Sequence, residues 1–288
     1  MKRIGLLGLG AMGERMARNF LNAGFELHIY NRNSEKCQPL TQLGAQAHQS
    51  PAEVAQHSDV VIAMVRDDLA SFNVWLDENT GAIKGLDKNK IAIEMSTLSL
   101  AHTQNLAKQF SEKNIPFLDA PVLGSRPQVE AKQLIQLVGG NEQTLDQVRN
   151  ILSVNAGVIH HLGETGKGMA FKLAMNGYFA IQVSALGELI GFLNKNQVDE
   201  TQVLSIFKTL PLASPALVGA ATLMENNQYA PLFPIELVHK DLTYLAQAAD
   251  MIKADMPLGF STQGVFGLAV NKGLGDENIH GVKKVFGG

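Results

Sequence analysis

The chain has 288 residues, 45% hydrophobic and 18% charged, with a formal net charge of -3. That is long enough for two domains with sizeable cores, and with no basic tail or interleaved basic and aromatic patch the sequence excludes a nucleic-acid partner. The single cysteine, Cys37, excludes an internal disulfide framework. With neither a charged-then-apolar leader nor an uncharged run of membrane-spanning length, the expected location is the cytoplasm, away from membranes.

The first elements lie between Lys2 and Arg32. Lys2-Arg3-Ile4-Gly5-Leu6-Leu7 has strand character, and Gly8-Leu9-Gly10-Ala11-Met12-Gly13 follows at once. Met16, Phe20 and Leu21 are then spaced for one helix face, and Phe25–Tyr30 is a second strand. Strand, glycine turn, helix and strand form the context that makes G-x-G-x-x-G a dinucleotide-binding fingerprint. Gly8 makes the tight turn, Gly10 admits the pyrophosphate, and Gly13 lets the helix lie close on the strand; the helix N-terminus turns unpaired N–H groups toward the phosphates. An NAD-binding unit places an acid at the end of the second strand for the ribose 2′-OH. Here the residues are Asn31, Arg32 and Asn33. A carboxylate would repel a 2′-phosphate and Arg32 would hold one, so NADP(H) is expected over NAD(H); the alternative is a solvated Arg32.

Helices and short strands then alternate. Ser34 is the expected N-cap of a helix to about Leu43, and Ser50 caps one starting at Pro51. The apolar run Asp59–Val65 predicts a buried parallel strand, with Met64 and Val65 at its carboxyl end, where ligands meet an open α/β sheet. Ile91–Met95, Ile115–Val122 and Leu134–Gly140 are further strands, with a helix over Ser99–Phe110. These units predict a doubly wound sheet through about residue 163. The turn-rich stretch Gly163–Gly168 is a joint. Beyond it Met169 to about Lys195 predicts a long helix, apolar on nearly all sides, followed by helices over Asp199–Thr209, Ser214–Glu225, Pro234–Ala254 and Pro257–Lys272. The expected fold is α/β: a Rossmann-type domain over 1–163 and an all-α domain over 164–288, linked by the long interdomain helix.

Lys172 stands among Phe171, Leu173, Ala174 and Met175, with Asn176 one turn on along the same face. A lysine opening a buried helix beside the joint is placed to work in the cleft. Desolvation there would lower its pKa and make it a usable proton donor and acceptor. Hydride addition to a carbonyl develops alkoxide charge, which an ammonium stabilises and protonates while an amide fixes the oxygen. The competing reading is a lysine whose stem packs on the core and whose head reaches water. The scattered histidines, with His160 and His161 adjacent and so turned different ways, give no metal site.

Taken together, these motifs resemble the β-hydroxyacid dehydrogenase family, which includes 3-hydroxyisobutyrate dehydrogenase, tartronate semialdehyde reductase and glyoxylate/succinic semialdehyde reductases. The resemblance spans nearly the whole chain: Gly8–Gly13, Glu94-Met95-Ser96-Thr97, Asp119-Ala120-Pro121-Val122, Gly124-Ser125-Arg126, Lys172 with Asn176, Phe233-Pro234, Lys240-Asp241-Leu242 and Leu274-Gly275-Asp276. It implies that Lys172 is the general acid/base, that Asn176 holds the substrate, that Thr97 lies beside the nicotinamide and that Lys240 reaches the cofactor. It also implies that Phe233 and Asp241 line the active site and that the chain forms a homodimer or homotetramer through its helical part.

One departure stands out. The family's loop reads Pro-Val-Ser-Gly, and its serine and following N–H groups hold the substrate carboxylate; here Leu123 precedes Gly124 and Ser125. Losing a charge-assisted hydrogen bond to a buried carboxylate costs roughly 1.5–3 kcal/mol. The N–H groups of Gly124 and Ser125, with Arg126, remain as anchors for an acid; alternatively the pocket takes a less polar carbonyl or an imine, although Lys172 argues against an imine. The expected function is therefore NADPH-dependent reduction of a small aldehyde or semialdehyde to a hydroxyacid, reversible. The alternatives are a catalytically idle NADP-binding sensor and, less in keeping with the missing phosphate cluster, a phosphogluconate-type decarboxylase.

Overall fold

The computed structural model describes residues 2–287, and the chain divides into two compact units, Met1–Lys172 and Leu173–Gly288. The first contains β1 (Ile4–Leu7), α1 (Gly13–Asn22), β2 (Leu27–Tyr30), α2 (Gln38–Thr41), β3 (Gln46–Ala47), α3 (Pro51–His57), β4 (Val60–Ala63), α4 (Asp68–Leu76), β5 (Ile91–Glu94) and α5 (Leu100–Glu112). It continues with β6 (Phe117–Asp119), β7 (Val122–Leu123), α6 (Arg126–Glu130), β8 (Leu134–Gly140), α7 (Glu142–Leu152) and β9 (Ala156–His161). Helix α8 (Lys167–Lys195) starts in this unit and runs into the second, where α9 (Glu200–Phe207), α10 (Pro215–Glu225), α11 (Ile235–Ile252) and α12 (Pro257–Asn271) follow. No helix among the described residues is long and apolar enough to cross a membrane.

Strands β3, β2, β1, β4, β5 and β6 lie side by side in that order, and every pairing is parallel. This is the strand order of the Rossmann fold, with its switch between β1 and β4. Composition suits these places: Ile4–Leu7, Val60–Ala63 and Ile91–Glu94 are buried along their whole length, as strands covered by helices on both faces must be. Leu6, Phe20, Ile29, Ile62, Ile93 and Leu118 belong to the resulting core. Beyond β6 the sheet changes direction. β8 is antiparallel to β6, β7 is antiparallel to β8, and β9 is parallel to β8.

Several local readings of the sequence differ from the structure. The single strand expected over Ile115–Val122 is interrupted at Ala120-Pro121, where proline has no N–H for a ladder, and β6 and β7 pair with β8 separately. The helix expected after Ser34 is a 3-10 turn followed by the short α2, and its cap is Asn33, whose side chain accepts from the Glu35 N–H at 3.1 Å. Ser50 does cap α3 as expected, and Ser99 and Ser214, read only as the starts of helices, cap α5 and α10. In the second unit Val183, Leu186, Leu204, Met224, Val238, Leu242 and Phe266 form a separate all-helical core.

Candidate active site

The turn after β1 is shaped by what surrounds its glycines. Gly8 has φ +101°, and a Cβ there would collide with the Met64 carbonyl oxygen and lie 2.9 Å from Val65 Cγ1. A Cβ on Gly13 would collide with the Gly8 carbonyl, so the first turn of α1 lies directly on the loop. Gly10 differs. Nothing of the protein lies within 4 Å of a Cβ built on it, so the protein's own packing gives no reason for its missing side chain. At the same end, α1 has no side-chain cap hydrogen bond. An open glycine facing solvent beside an uncapped helix N-terminus, at the switch point of the sheet, fits the pyrophosphate of a nicotinamide dinucleotide.

At the end of β2, the Asn31 side chain accepts from the Leu9 N–H at 2.9 Å and donates to the Asn33 carbonyl at 2.8 Å. It ties the glycine turn to the second strand, and Arg32 and Asn33 beside it are exposed. A second anchor lies beneath the loops after β4 and β5. The fully buried Glu94 carboxylate accepts from Ser71 Oγ (2.7 Å), Trp75 Nε1 (2.9 Å) and the Ser96 N–H (2.8 Å), and Ser96 Oγ accepts from the Val65 N–H at 2.8 Å. Burial raises the Glu94 pKa against these donors. Val65 and Thr97 are thus carried on backbone held from one buried carboxylate.

Lys172 and Asn176 lie one turn apart on α8, each 8% exposed. The Asn176 amide donates to Asp241 Oδ2 at 2.6 Å, which sets the amide's nitrogen toward that carboxylate. Asp241, on α11 and 3% exposed, also has the Lys240 ammonium 2.8 Å from Oδ1, and that ammonium lies 4.6 Å from the Tyr244 ring centroid. Phe233 precedes α11, and its N–H donates to Asn278 Oδ1 at 2.8 Å. Asn278 in turn bonds His280 Nδ1 at 2.9 Å, and His280 Nε2 bonds the Gln228 carbonyl. The carbonyl only accepts, so His280 carries its proton on Nε2; burial pulls its pKa down to about 4.

The loop after β6 departs from expectation in one donor. The Ser125 N–H donates to Gln128 Oε1 at 2.9 Å, as one arm of a capping box on α6. Leu123 is half-buried on β7, and Gly124, at φ +121°, is exposed. Asn278, His280 and the role of Glu94 do not stand out in the sequence. Glu94 alone has a signal there, as an acid ending the apolar run Ile91-Ala92-Ile93, whereas Asn278 and His280 lie in the polar stretch Asp276–His280 and have none. Among the described residues no group of three or more His, Cys, Asp or Glu is placed to hold a metal ion.

Comparison with known proteins places the whole chain among relatives. Residues 3–163 match a family model described as the NAD binding domain of 6-phosphogluconate dehydrogenase. Residues 166–286 match one described as the NAD-binding of NADP-dependent 3-hydroxyisobutyrate dehydrogenase. The chain is 31% identical to the mitochondrial 3-hydroxyisobutyrate dehydrogenase of Drosophila melanogaster, over 96% of this chain and 87% of that protein. It is 30% identical to the chloroplastic glyoxylate/succinic semialdehyde reductase 2 of Arabidopsis thaliana, over 97% and 78%. Among solved structures, 3-hydroxyisobutyrate dehydrogenase of Mycobacterium tuberculosis with L-serine superimposes with a TM-score of 0.88 at 25% identity, covering 99% of this chain and 98% of that one. With its Rossmann unit, its all-helical unit and these relatives, the chain belongs to the β-hydroxyacid dehydrogenase family, a nicotinamide-dependent oxidoreductase acting on CH–OH groups.

Proposed function

We propose that this enzyme reduces a small aldehyde or semialdehyde with NADPH, and in reverse oxidises the corresponding hydroxyacid. The observation that carries the reading is the pair of buried polar side chains on α8, Lys172 and Asn176, in a helix otherwise dominated by apolar residues. The chemistry that a bound nicotinamide adds is a hydride for the carbonyl carbon. Lys172 Nζ supplies the proton to the carbonyl oxygen and meets the charge developing there. Asn176 orients that oxygen, and Asp241 holds the amide so that it does not swing. Thr97 stands by the nicotinamide, Lys240 reaches the cofactor, and Phe233 lines the substrate pocket.

The preference for NADPH rests on charge. The end of β2 carries Asn31, whose side chain is engaged with Leu9 and Asn33, and the exposed Arg32, with no carboxylate for a ribose 2′-OH. A 2′-phosphate meets a guanidinium there and no repelling acid. A nucleotide domain over 1–163 and a helical domain over 164–288 belong to the same reading, supported by the bounds of the two family models. So does self-association as a homodimer or homotetramer in the cytoplasm: Tyr178 (60% exposed), Leu189 and Phe192 (63%) form an apolar row along α8.

A second reading concerns the substrate. Leu123 offers no donor, and the Ser125 N–H is already taken by Gln128. Both favour a carbonyl compound without a carboxylate next to the reacting carbon. A panel assay with NADPH, using glyoxylate, succinic semialdehyde and uncharged aldehydes of similar length, tests both. Oxidation of NADPH by at least one is expected, with succinic semialdehyde and the uncharged compounds ahead of glyoxylate; Leu123→Ser should gain about tenfold or more on glyoxylate, as one charge-assisted hydrogen bond of roughly 1.5–3 kcal/mol requires. No turnover anywhere on the panel would refute the reductase, and an unchanged ratio in Leu123→Ser would refute the second reading.

A further inference from the structure

Asp119 ends β6, and its side chain is fully buried. Oδ1 accepts from the Gly166 N–H at 2.7 Å and Oδ2 from the Met169 N–H at 2.8 Å. The first donor lies in the residue just before α8 and the second in its first turn, where a helix has no partners of its own for its N–H groups. The surrounding backbone makes room for the carboxylate. A Cβ on Gly168 would lie 2.9 Å from Oδ2, and one on Gly139 would collide with Oδ1. The glycine-rich joint before α8 thus has a use beyond turning the chain. The same turn is held from a second side, where the Leu98 N–H donates to Met169 Sδ at 3.3 Å; Leu98 follows Thr97 directly.

Lys172 is three residues beyond Met169, about 4.5 Å along the helix axis. A rotation or lift of the first turn therefore moves Lys172 almost rigidly. Burial pushes the Asp119 carboxyl up to about 6, against the lowering effect of the N–H groups it accepts from. At neutral pH the fold thus keeps an ionised group in a place where burial disfavours its charge. A carboxylate at the first turn also faces the positive end of the helix dipole.

We infer that Asp119 is a positioning residue for Lys172: it clamps the first turn of α8 so that the lysine's Nζ is presented at one height and rotation. This rests on the role given to Lys172 in the proposed reduction, but its consequences are readable without turnover. The test uses Asp119→Asn and Asp119→Ser in the full chain, the serine keeping one hydroxyl acceptor for the two N–H groups. The first measurement is acetylation of Lys172 by acetic anhydride, followed by mass spectrometry and normalised to the exposed Lys108. The second is kcat and the KM for NADPH with the best aldehyde of the panel.

In Asp119→Asn, Lys172 should label several-fold differently from wild type while Lys108 is unchanged. kcat should fall tenfold or more with the KM for NADPH within twofold, and Asp119→Ser should lie between the two. Unchanged Lys172 labelling in a folded variant would overturn the inference, as would a kcat loss matched by a rise in the KM for NADPH. Should the asparagine variant not fold, the serine variant decides by the same criteria. A wild-type protein inactive on the whole panel refutes the proposed function, and Lys172 labelling alone then decides for or against the clamp.

Discussion

Three buried polar side chains carry most of what this protein is proposed to do: Lys172, Asn176 and Asp241. Burying a charge or an amide costs free energy unless a partner offsets it, so each needs a reason to be there. Asn176 and Asp241 satisfy one another at 2.6 Å. Lys172 is not without a partner either, and the use proposed for it is the reaction. Lys172→Ala should lower kcat by about 10²–10⁴-fold, the range of general acid catalysis, while NADPH binding, read by fluorescence titration, stays within a few fold. A variant that still turns over at the wild-type rate removes the lysine from the mechanism. The cofactor preference is also a matter of single residues. Asn31→Asp with Arg32→Ala should move the ratio of kcat/KM for NADPH over NADH toward NADH by about 10–100-fold, from the roughly 1.5–3 kcal/mol of a charged hydrogen bond. A ratio that does not move refutes the assignment.

At the scale of elements, the far edge of the sheet shows how burial, against neighbouring charges, shifts histidine protonation. β2, the segment after β3, and the end of α3 bring His28, His48 and His57 together. His28 Nδ1 lies 2.9 Å from His48 Nε2, and the rings of His48 and His57 stack at 4.8 Å. Burial holds His28 and His48 below the usual histidine range, with Glu26 opposing the shift at His28 and Glu53 at His48, while Arg3 adds to it at His28. One nitrogen of the close pair donates and the other accepts; protonating both rings turns both nitrogens into donors and breaks the bond. A histidine whose folded pKa is depressed stays neutral in the fold. Its contribution to stability is present above the unfolded pKa of about 6.5 and is lost as pH falls through the folded value. Over pH 7 to 5 this loss is opposed by Asp119, whose raised carboxyl takes up a proton in the fold, so the readable outcome is comparative: the thermal midpoint of His48→Gln should lose less, or gain more, than that of wild type over that range. An equal slope in both proteins would show that the edge does not titrate with unfolding.

The same scale shows why some elements are legible in the sequence and others are not. β1, β4, β5 and the glycine turn announce themselves through unbroken apolar runs and local spacing, and Ser50, Ser99 and Ser214 cap their helices within three residues of sequence. β9 escapes notice because Ala156–His161 mixes a glycine and two histidines and is only partly buried. The reversal at β8 is likewise invisible in Leu134–Gly140, whose apolar run fits a parallel or an antiparallel neighbour equally well.

For the whole molecule, the proposed association follows from the surface of α8. Tyr178, Leu189 and Phe192 are exposed, although large apolar side chains usually leave water when a partner is at hand. Phe192→Asp should shift the protein to a smaller species in sedimentation velocity, with the far-ultraviolet circular dichroism unchanged. An unaltered sedimentation coefficient would place any interface elsewhere.

The dinucleotide turn, the apolar strands β1, β4 and β5, the helices α1, α5 and α8 to α12, the division into an α/β part and a helical part, and Lys172 as a candidate were legible in the sequence alone. Each depends on the spacing of neighbouring residues, and that spacing is a property of the chain before it folds. Tertiary structure alone decided which buried groups meet. The partners of Asp119 are 47 and 50 residues away, Asp241 is 65 residues from Asn176, and Asn278 reaches back 45 residues to Phe233. No local pattern encodes such pairings. They exist because a buried polar atom must find a complement wherever the packing brings one.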